Sequence, residues 1–237
     1  MSGGAITFEA EVTKSMETSR KRVSVSRAHP WHGVSIGIDA PNIVTCYIEI
    51  VPTDTVKYEI DKPSGYLRID RPQRFSNVCP TLYGFLPRTL CAERTAALSV
   101  QYTGRGGLRG DLDPLDVCVF SERSIAHGDI LLEGVPIGGI RMLDNDEADD
   151  KLLAVLAGDA IYGKWENIED IDRGLLDRII HYFLTYKRPP GEPQREIIVG
   201  TFGRQDAYEL ILEAQRDYEA HFQPIPSPEF GTARQQD

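Results

Sequence analysis

Asp111-Leu112-Asp113-Pro114-Leu115-Asp116-Val117 is the stretch on which the reading of this chain turns. Three aspartates fall at i, i+2 and i+5 and lead into an apolar strand-like run, Asp116–Phe120 (DVCVF). In extended backbone, side chains i and i+2 leave on the same face. Pro114 then bends the path, so that Asp116 can swing back toward Asp111 and Asp113. Carboxylates gathered this way repel one another unless something positive stands among them. Mg²⁺ suits the role, because it takes hard oxygen ligands in near-octahedral geometry and keeps some of its waters. One Asp-rich turn alone would read as a solvated loop. A second acidic cluster, Asp144-Asn145-Asp146-Glu147-Ala148-Asp149-Asp150-Lys151, lies between two further apolar runs. Two such loops beside the same core strands point to a site for several metal ions.

Rival readings of these segments fail on spacing. An EF-hand needs an oxygen ligand at loop position 5 and Gly at position 6. Counted from Asp111 those positions are Leu115 and Asp116; counted from Asp144 they are Ala148 and Asp149. Gly158–Lys164 matches G-x-x-x-x-G-K, but Trp165 stands where the phosphate loop needs Ser or Thr. Thr103–Gly110 (TGRGGLRG) lacks the strand–helix context of a dinucleotide loop and reads as a flexible insertion.

Outward from the aspartates the chain is mostly β-like. Ile43–Val51, Val56–Ile60, Tyr66–Asp70, Ile130–Val135, Lys151–Leu156 and Glu196–Phe202 are short runs rich in apolar, β-branched and aromatic residues. Lys62-Pro63-Ser64-Gly65 is a turn signal between two of them. Helical spacing occurs twice. Leu175, Leu176, Ile179, Ile180 and Phe183 recur at three and four before Pro189-Pro190, and Tyr208, Ile211, Leu212 and Tyr218 do so before Pro224. Many strands and two late helices predict a small closed or sandwich-like β-structure with helices outside. Residues 1–30 read as a polar N-terminal extension, 31–222 as one domain, and 223–237 as a loose tail.

With 41% hydrophobic residues the chain can build a core, and its formal net charge of −10 opposes a nucleic-acid binder held by a basic surface. The same charge is puzzling for an enzyme acting on an anion, unless the carboxylates hold cations that in turn hold the anion. No apolar run approaches the ~20 residues of a membrane span, and the first thirty residues contain no apolar signal core. The expected compartment is the cytoplasm. Cys46, Cys79, Cys91 and Cys118 show no metal or disulfide spacing and read as reduced thiols, with Cys46 and Cys118 buried. His29 and His32 are assigned to packing or surface.

The D-x-D-P-x-D signature at Asp111–Asp116 resembles that of the family I soluble inorganic pyrophosphatases. Other pieces follow in that family's order: Tyr47-Ile48-Glu49-Ile50, Lys57-Tyr58-Glu59-Ile60-Asp61, Asp70-Arg71, Tyr83-Gly84, then Asp144, Asp149, Lys151 and His181–Lys187. The resemblance spans roughly residues 40–220. It implies a mainly β fold, a five-stranded OB-type barrel with peripheral α-helices. It implies Mg²⁺-dependent hydrolysis of pyrophosphate to two phosphates, several ions per site, and no covalent intermediate. It also implies a homo-oligomer, hexamer or dimer; charge and the lack of an apolar span are the grounds for expecting no nucleic-acid or membrane partner. Carried over by position, Asp111, Asp116 and Asp149 hold two metals, with Asp116 bridging. Asp144 and Asp149 hold a further one, and Glu59 another. Asp113 orients or deprotonates the attacking water. Lys57, Arg71, Lys151, Tyr186 and Lys187 hold phosphate oxygens, Tyr83 supports the metal side and Glu49 belongs to the polar shell. Three positions depart from the pattern: Leu112 stands where relatives carry Gly, Ser or Asn, Cys79 where they often carry an aromatic residue, and Cys91–Gly110 is a longer link.

These residue types suit the reaction. Two metals ~3.5–4 Å apart make water acidic near neutral pH, while Lys and Arg neutralise phosphate oxygens. A nucleic-acid-binding barrel and a calcium-binding scaffold that has lost its activity are the competing functions. The acidic loops oppose the first, and retention of every proposed ligand opposes the second.

Overall fold

The central apolar runs are hydrophobic at nearly every position, so their strands need cover on both faces. The computed structural model describes residues 27–187 and 191–222. In chain order these residues form strands β1 (Val44–Ile50), β2 (Val56–Ile60), β3 (Leu67–Pro72) and β4 (Leu82–Phe85), helix α1 (Glu93–Thr103), and strands β5 (Arg109–Gly110), β6 (Asp116–Phe120), β7 (Ile130–Asp144), β8 (Glu147–Ala148) and β9 (Lys151–Leu156). Helix α2 (Arg173–Thr185), strand β10 (Glu196–Gly203) and helix α3 (Arg204–His221) complete the order.

Five strands close on themselves: β1 pairs β4, β4 pairs β6, β6 pairs β9, β9 pairs β7, and β7 returns to β1. Only β6–β9 is parallel in this ring. Closure leaves none of the five with an unpaired edge. The expected OB-type barrel is therefore present, with three helices rather than two packed against it. β7 makes closure possible by length. It runs fifteen residues, bulges between Pro136 and Gly138, and borders β1 at one end and β9 and β10 at the other. Its sequence signal was legible only as Ile130–Val135, because Pro136 and the glycines after it read as a stop. Gly138 stands at φ 154°, a conformation that disfavours a side chain.

The two faces of the barrel strands pack on different helices. Ile48, Val117, Val119, Leu152 and Ala154 share a buried cluster with Leu210 and Ile211 of α3. Cys118, Phe120, Leu153 and Val155 share another with Ile179 and Phe183 of α2. Gly84 sits where β4 crosses β1 so closely that a Cβ would lie 1.9 Å from the Tyr47 carbonyl oxygen, which explains Tyr83-Gly84. The β2–β3 hairpin stands apart as a two-stranded sheet; its bulge makes Asp70 the extra residue between Lys57↔Arg71 and Tyr58↔Ile69.

Helix α1 fills the link read as an insertion. Its N-terminal amides are capped from α3: Asp217, fully buried, accepts hydrogen bonds from the N–H groups of Ala92, Arg94 and Thr95. All four cysteines are free and buried, including Cys79 and Cys91. His29 and His32 pack as expected, His32 stacked on Trp31 at 4.5 Å. The Gly158–Lys164 match ends in a single 3₁₀ turn, with no phosphate-loop helix. Residues 27–30 of the expected extension are tied to the body through Arg27–Asp129 and a bond between His29 Nε2 and the Lys62 carbonyl. Residues 1–26 and the expected tail lie outside the described residues.

Candidate active site

Strand alternation aims the key side chains at one place. Asp116 lies on the face of β6 that carries Cys118 and Phe120, and Lys151 on the face of β9 that carries Leu153 and Val155. The parallel β6–β9 pairing sets these two strand starts side by side. Asp111, Asp113, Asp116, Asp149 and Lys151 line a cleft of about 450 Å³. Lys57 and Glu59 from β2 line it too, as do Glu49, Tyr83, Tyr186 and Lys187. The acidic loops, far apart in sequence, thus converge.

At the centre the Lys151 ammonium, almost wholly buried, bridges Asp116 and Asp149. Burial pulls its pKa down, but the two carboxylates outweigh burial and hold it well above the ordinary lysine value. Tyr83 donates its hydroxyl to Asp116 Oδ2 at 2.6 Å. Burial, and then Asp116, push the Tyr83 pKa up, so it stays a donor. Burial and the Asp149 charge push Asp111 up to about 8. Burial likewise raises Asp149, with Lys151 opposing. Glu49 is pushed up to about 8 by burial and Asp116, and accepts the Ile60 N–H at 2.6 Å. Seven carboxyl groups line the cleft against five basic side chains, so acids outnumber bases. Among the described residues no three carboxylates already surround a single point; a lysine holds two of them together instead. Oxygen-only donors, buried and short of positive charge, fit a hard divalent cation.

The remaining expected residues sit around this centre. Lys57 pairs with Glu59 (3.2 Å) and Asp70 (2.9 Å). Arg71 does not line the cleft. It binds Asp70, lies 5.8 Å from the Tyr186 ring centroid, and keeps Nη2 buried with no hydrogen-bond partner among the described residues. Asp144 also stands outside the main cleft, at an adjoining depression, where Lys187 Nζ reaches its Oδ2 at 2.8 Å. Lys187 borders both and links them. Sequence reasoning missed Lys62 and Arg68, which pair with Asp113 and Glu59. Lys62 lies in a segment read only as a turn; its charge beside Asp61, two residues from Glu59, was the available signal.

A closed barrel whose cleft sets clustered aspartates against lysines is the kind of site that suits an enzyme handling a small charged substrate. A family model described as inorganic pyrophosphatase matches residues 46–219. The chain is 48% identical over 202 residues to an inorganic pyrophosphatase of Chlamydia muridarum, covering 83% of this chain and 97% of that one. It is 36% identical to soluble inorganic pyrophosphatase 2 of Chlamydomonas reinhardtii, covering 83% and 92%. Its fold matches the crystal structure of the Thermus thermophilus inorganic pyrophosphatase with a TM-score of 0.68 at 28% identity, over 81% of this chain and 99% of that one. The chain belongs to the family I inorganic pyrophosphatases, and is an enzyme of the inorganic diphosphatase class. Among the described residues no helix is long and apolar enough to cross a membrane.

Proposed function

We propose that this chain hydrolyses pyrophosphate to two phosphates with Mg²⁺, at the cleft between the Asp111–Asp116 loop and Asp149. The observation that carries the proposal is the convergence of Asp116 and Asp149 on one buried ammonium, with Asp111 and Asp113 lining the same cleft. Asp111, Asp116 and Asp149 are the residues to hold two ions, with Glu59 and Asp144 serving further ones. When bound, Mg²⁺ supplies Lewis-acid chemistry, lowering the pKa of water and neutralising phosphate oxygens.

The chain's own residues do the rest. Asp113 takes the proton of the attacking water. The water oxygen forms a bond to one phosphorus as the bridging P–O bond breaks, and the bridging oxygen leaves with the second phosphate. With Asp116 and Asp149 given over to holding cations, the Lys151 ammonium would be free to hold a phosphate oxygen. Lys57, Lys187 and the Tyr186 hydroxyl hold others, and Arg71 would join them by turning its planar fork from Asp70 toward the anion. Tyr83 fixes the orientation of Asp116, and Glu49 ties β1 to the hairpin through Ile60. No side-chain nucleophile is required. The same reading makes the enzyme homo-oligomeric, as its family resemblance implies, and the cytoplasm is its expected compartment. The test is phosphate release from pyrophosphate with and without Mg²⁺. Release that requires Mg²⁺ is expected; salt-sensitive oligonucleotide binding without phosphate release would refute the proposal.

A further inference from the structure

Asp150 stands between two residues of the site, yet it faces the other way. Asp149 and Lys151 point into the cleft, while Asp150 is buried on the opposite side of the same strand end. There Arg141 Nη1 donates to its Oδ2 at 2.7 Å, and the Met142 N–H reaches its Oδ1 at 3.2 Å. Arg141 is itself buried and held between two rings, with its guanidinium carbon 4.2 Å from the Tyr102 centroid and 4.7 Å from that of Phe202. Tyr102 belongs to α1 and Phe202 to β10. β7 supplies Arg141, and its Met142 carbonyl also accepts the Asp149 N–H at 2.9 Å. A planar cation packed against two aromatic rings and bonded to a buried carboxylate has little freedom to move.

We propose that Arg141 and Asp150 are positioning residues: the clamp fixes the backbone of Asp149-Asp150-Lys151 and so sets where Asp149 meets its cation, with α1 contributing Tyr102 to hold the clamp. The inference rests on the reading of Asp149 as a metal ligand. Supporting groups behind a ligand commonly carry roughly ten- to hundredfold in metal affinity.

For Arg141, charge alone and positioning predict opposite signs, which makes the test decisive. Removing the Asp150 charge would weaken cation binding by either route. Removing the Arg141 charge would strengthen it if only the field mattered, and weaken it if Arg141 positions Asp149. Calorimetric titration of the metal-stripped full chain with Mn²⁺ provides the readout, with folding checked by circular dichroism. Asp150→Asn and Arg141→Met are both expected to weaken binding roughly tenfold. Arg141→Lys, which keeps the charge but loses the fork, is expected to weaken it as well, and carries the test if Arg141→Met does not fold. Tighter or unchanged binding in Arg141→Met, or in Arg141→Lys where that variant carries the test, would overturn the inference. Asp149→Asn separates the two claims. If Asp149→Asn weakens binding while the Arg141 variants do not, the clamp fails and the site stands; if Asp149→Asn has no effect, the reading of the site fails first.

Discussion

Replacing Lys151 by methionine removes the one cation shared by two buried carboxylates, and the consequence should differ sharply with and without Mg²⁺. Lys151 is buried, Asp149 is nearly so, and the side chain of Asp116 is only about a quarter exposed. Removing one partner of a buried pair leaves an uncompensated charge and costs about 3–5 kcal/mol. For a chain of this size each kcal/mol moves the melting temperature by roughly 2–4 °C, so the metal-free variant should melt about 6–20 °C below the parent. Saturating Mg²⁺ should close most of that gap, because a divalent ion at Asp116 and Asp149 supplies the missing charge by mass action. Activity should not return with it, since the phosphate oxygen held by Lys151 has lost its partner. The assay is differential scanning fluorimetry in EDTA and in Mg²⁺, paired with phosphate release. A Lys151→Met protein that melts with the parent in EDTA would refute the reasoning.

Asp113→Asn should leave the protein folded and lower kcat by about 10²–10⁴, the usual weight of a general base; unchanged turnover in a phosphate-release assay would remove Asp113 from that role. Leu112 sits at φ 61°, a left-handed conformation that costs a side-chain-bearing residue roughly 1–2 kcal/mol, so Leu112→Gly should raise the melting temperature of the metal-free enzyme by a few degrees, and a lowered one would contradict the strain. Asp111 and Glu49 are both raised to about 8, so between pH 4 and 8 the folded metal-free protein binds more protons than the unfolded chain. Its stability should therefore fall as pH rises through that window. Asp70 and Asp129 are shifted the other way; their contribution is complete once pH exceeds the ordinary carboxylate value, and does not oppose the trend. Denaturant titrations in EDTA at several pH values would check it, and stability rising toward pH 8 would contradict it.

Much of this was legible because local pattern and tertiary structure agree. β2, β6 and β9 were readable to the residue, since each is a short apolar run bounded by turn or acidic residues. The central carboxylates were readable because their chemistry is dense in sequence as well as in space. Helix α1 was not, because its cap is Asp217, 125 positions away from Ala92, and no capping side chain precedes it locally. The second half of β7 was hidden by Pro136 and Gly138, which mark a bulge within a strand rather than its end. Lys62 and Arg68 escaped notice because their partners, Asp113 and Glu59, are brought to them only by the fold. Leu112 was visible as an oddity against the expected family pattern, and its positive φ is a physical reason for a smaller or more permissive residue at that position.

The proposed hydrolysis requires divalent ions between the Asp111–Asp116 loop and Asp149. Anomalous diffraction from crystals grown with Mn²⁺ would locate them directly. Peaks bounded by Asp111, Asp116 and Asp149, with Lys151 moved off the two carboxylates, are the expected result. Peaks confined to other surfaces, with Lys151 still bridging Asp116 and Asp149, would contradict it.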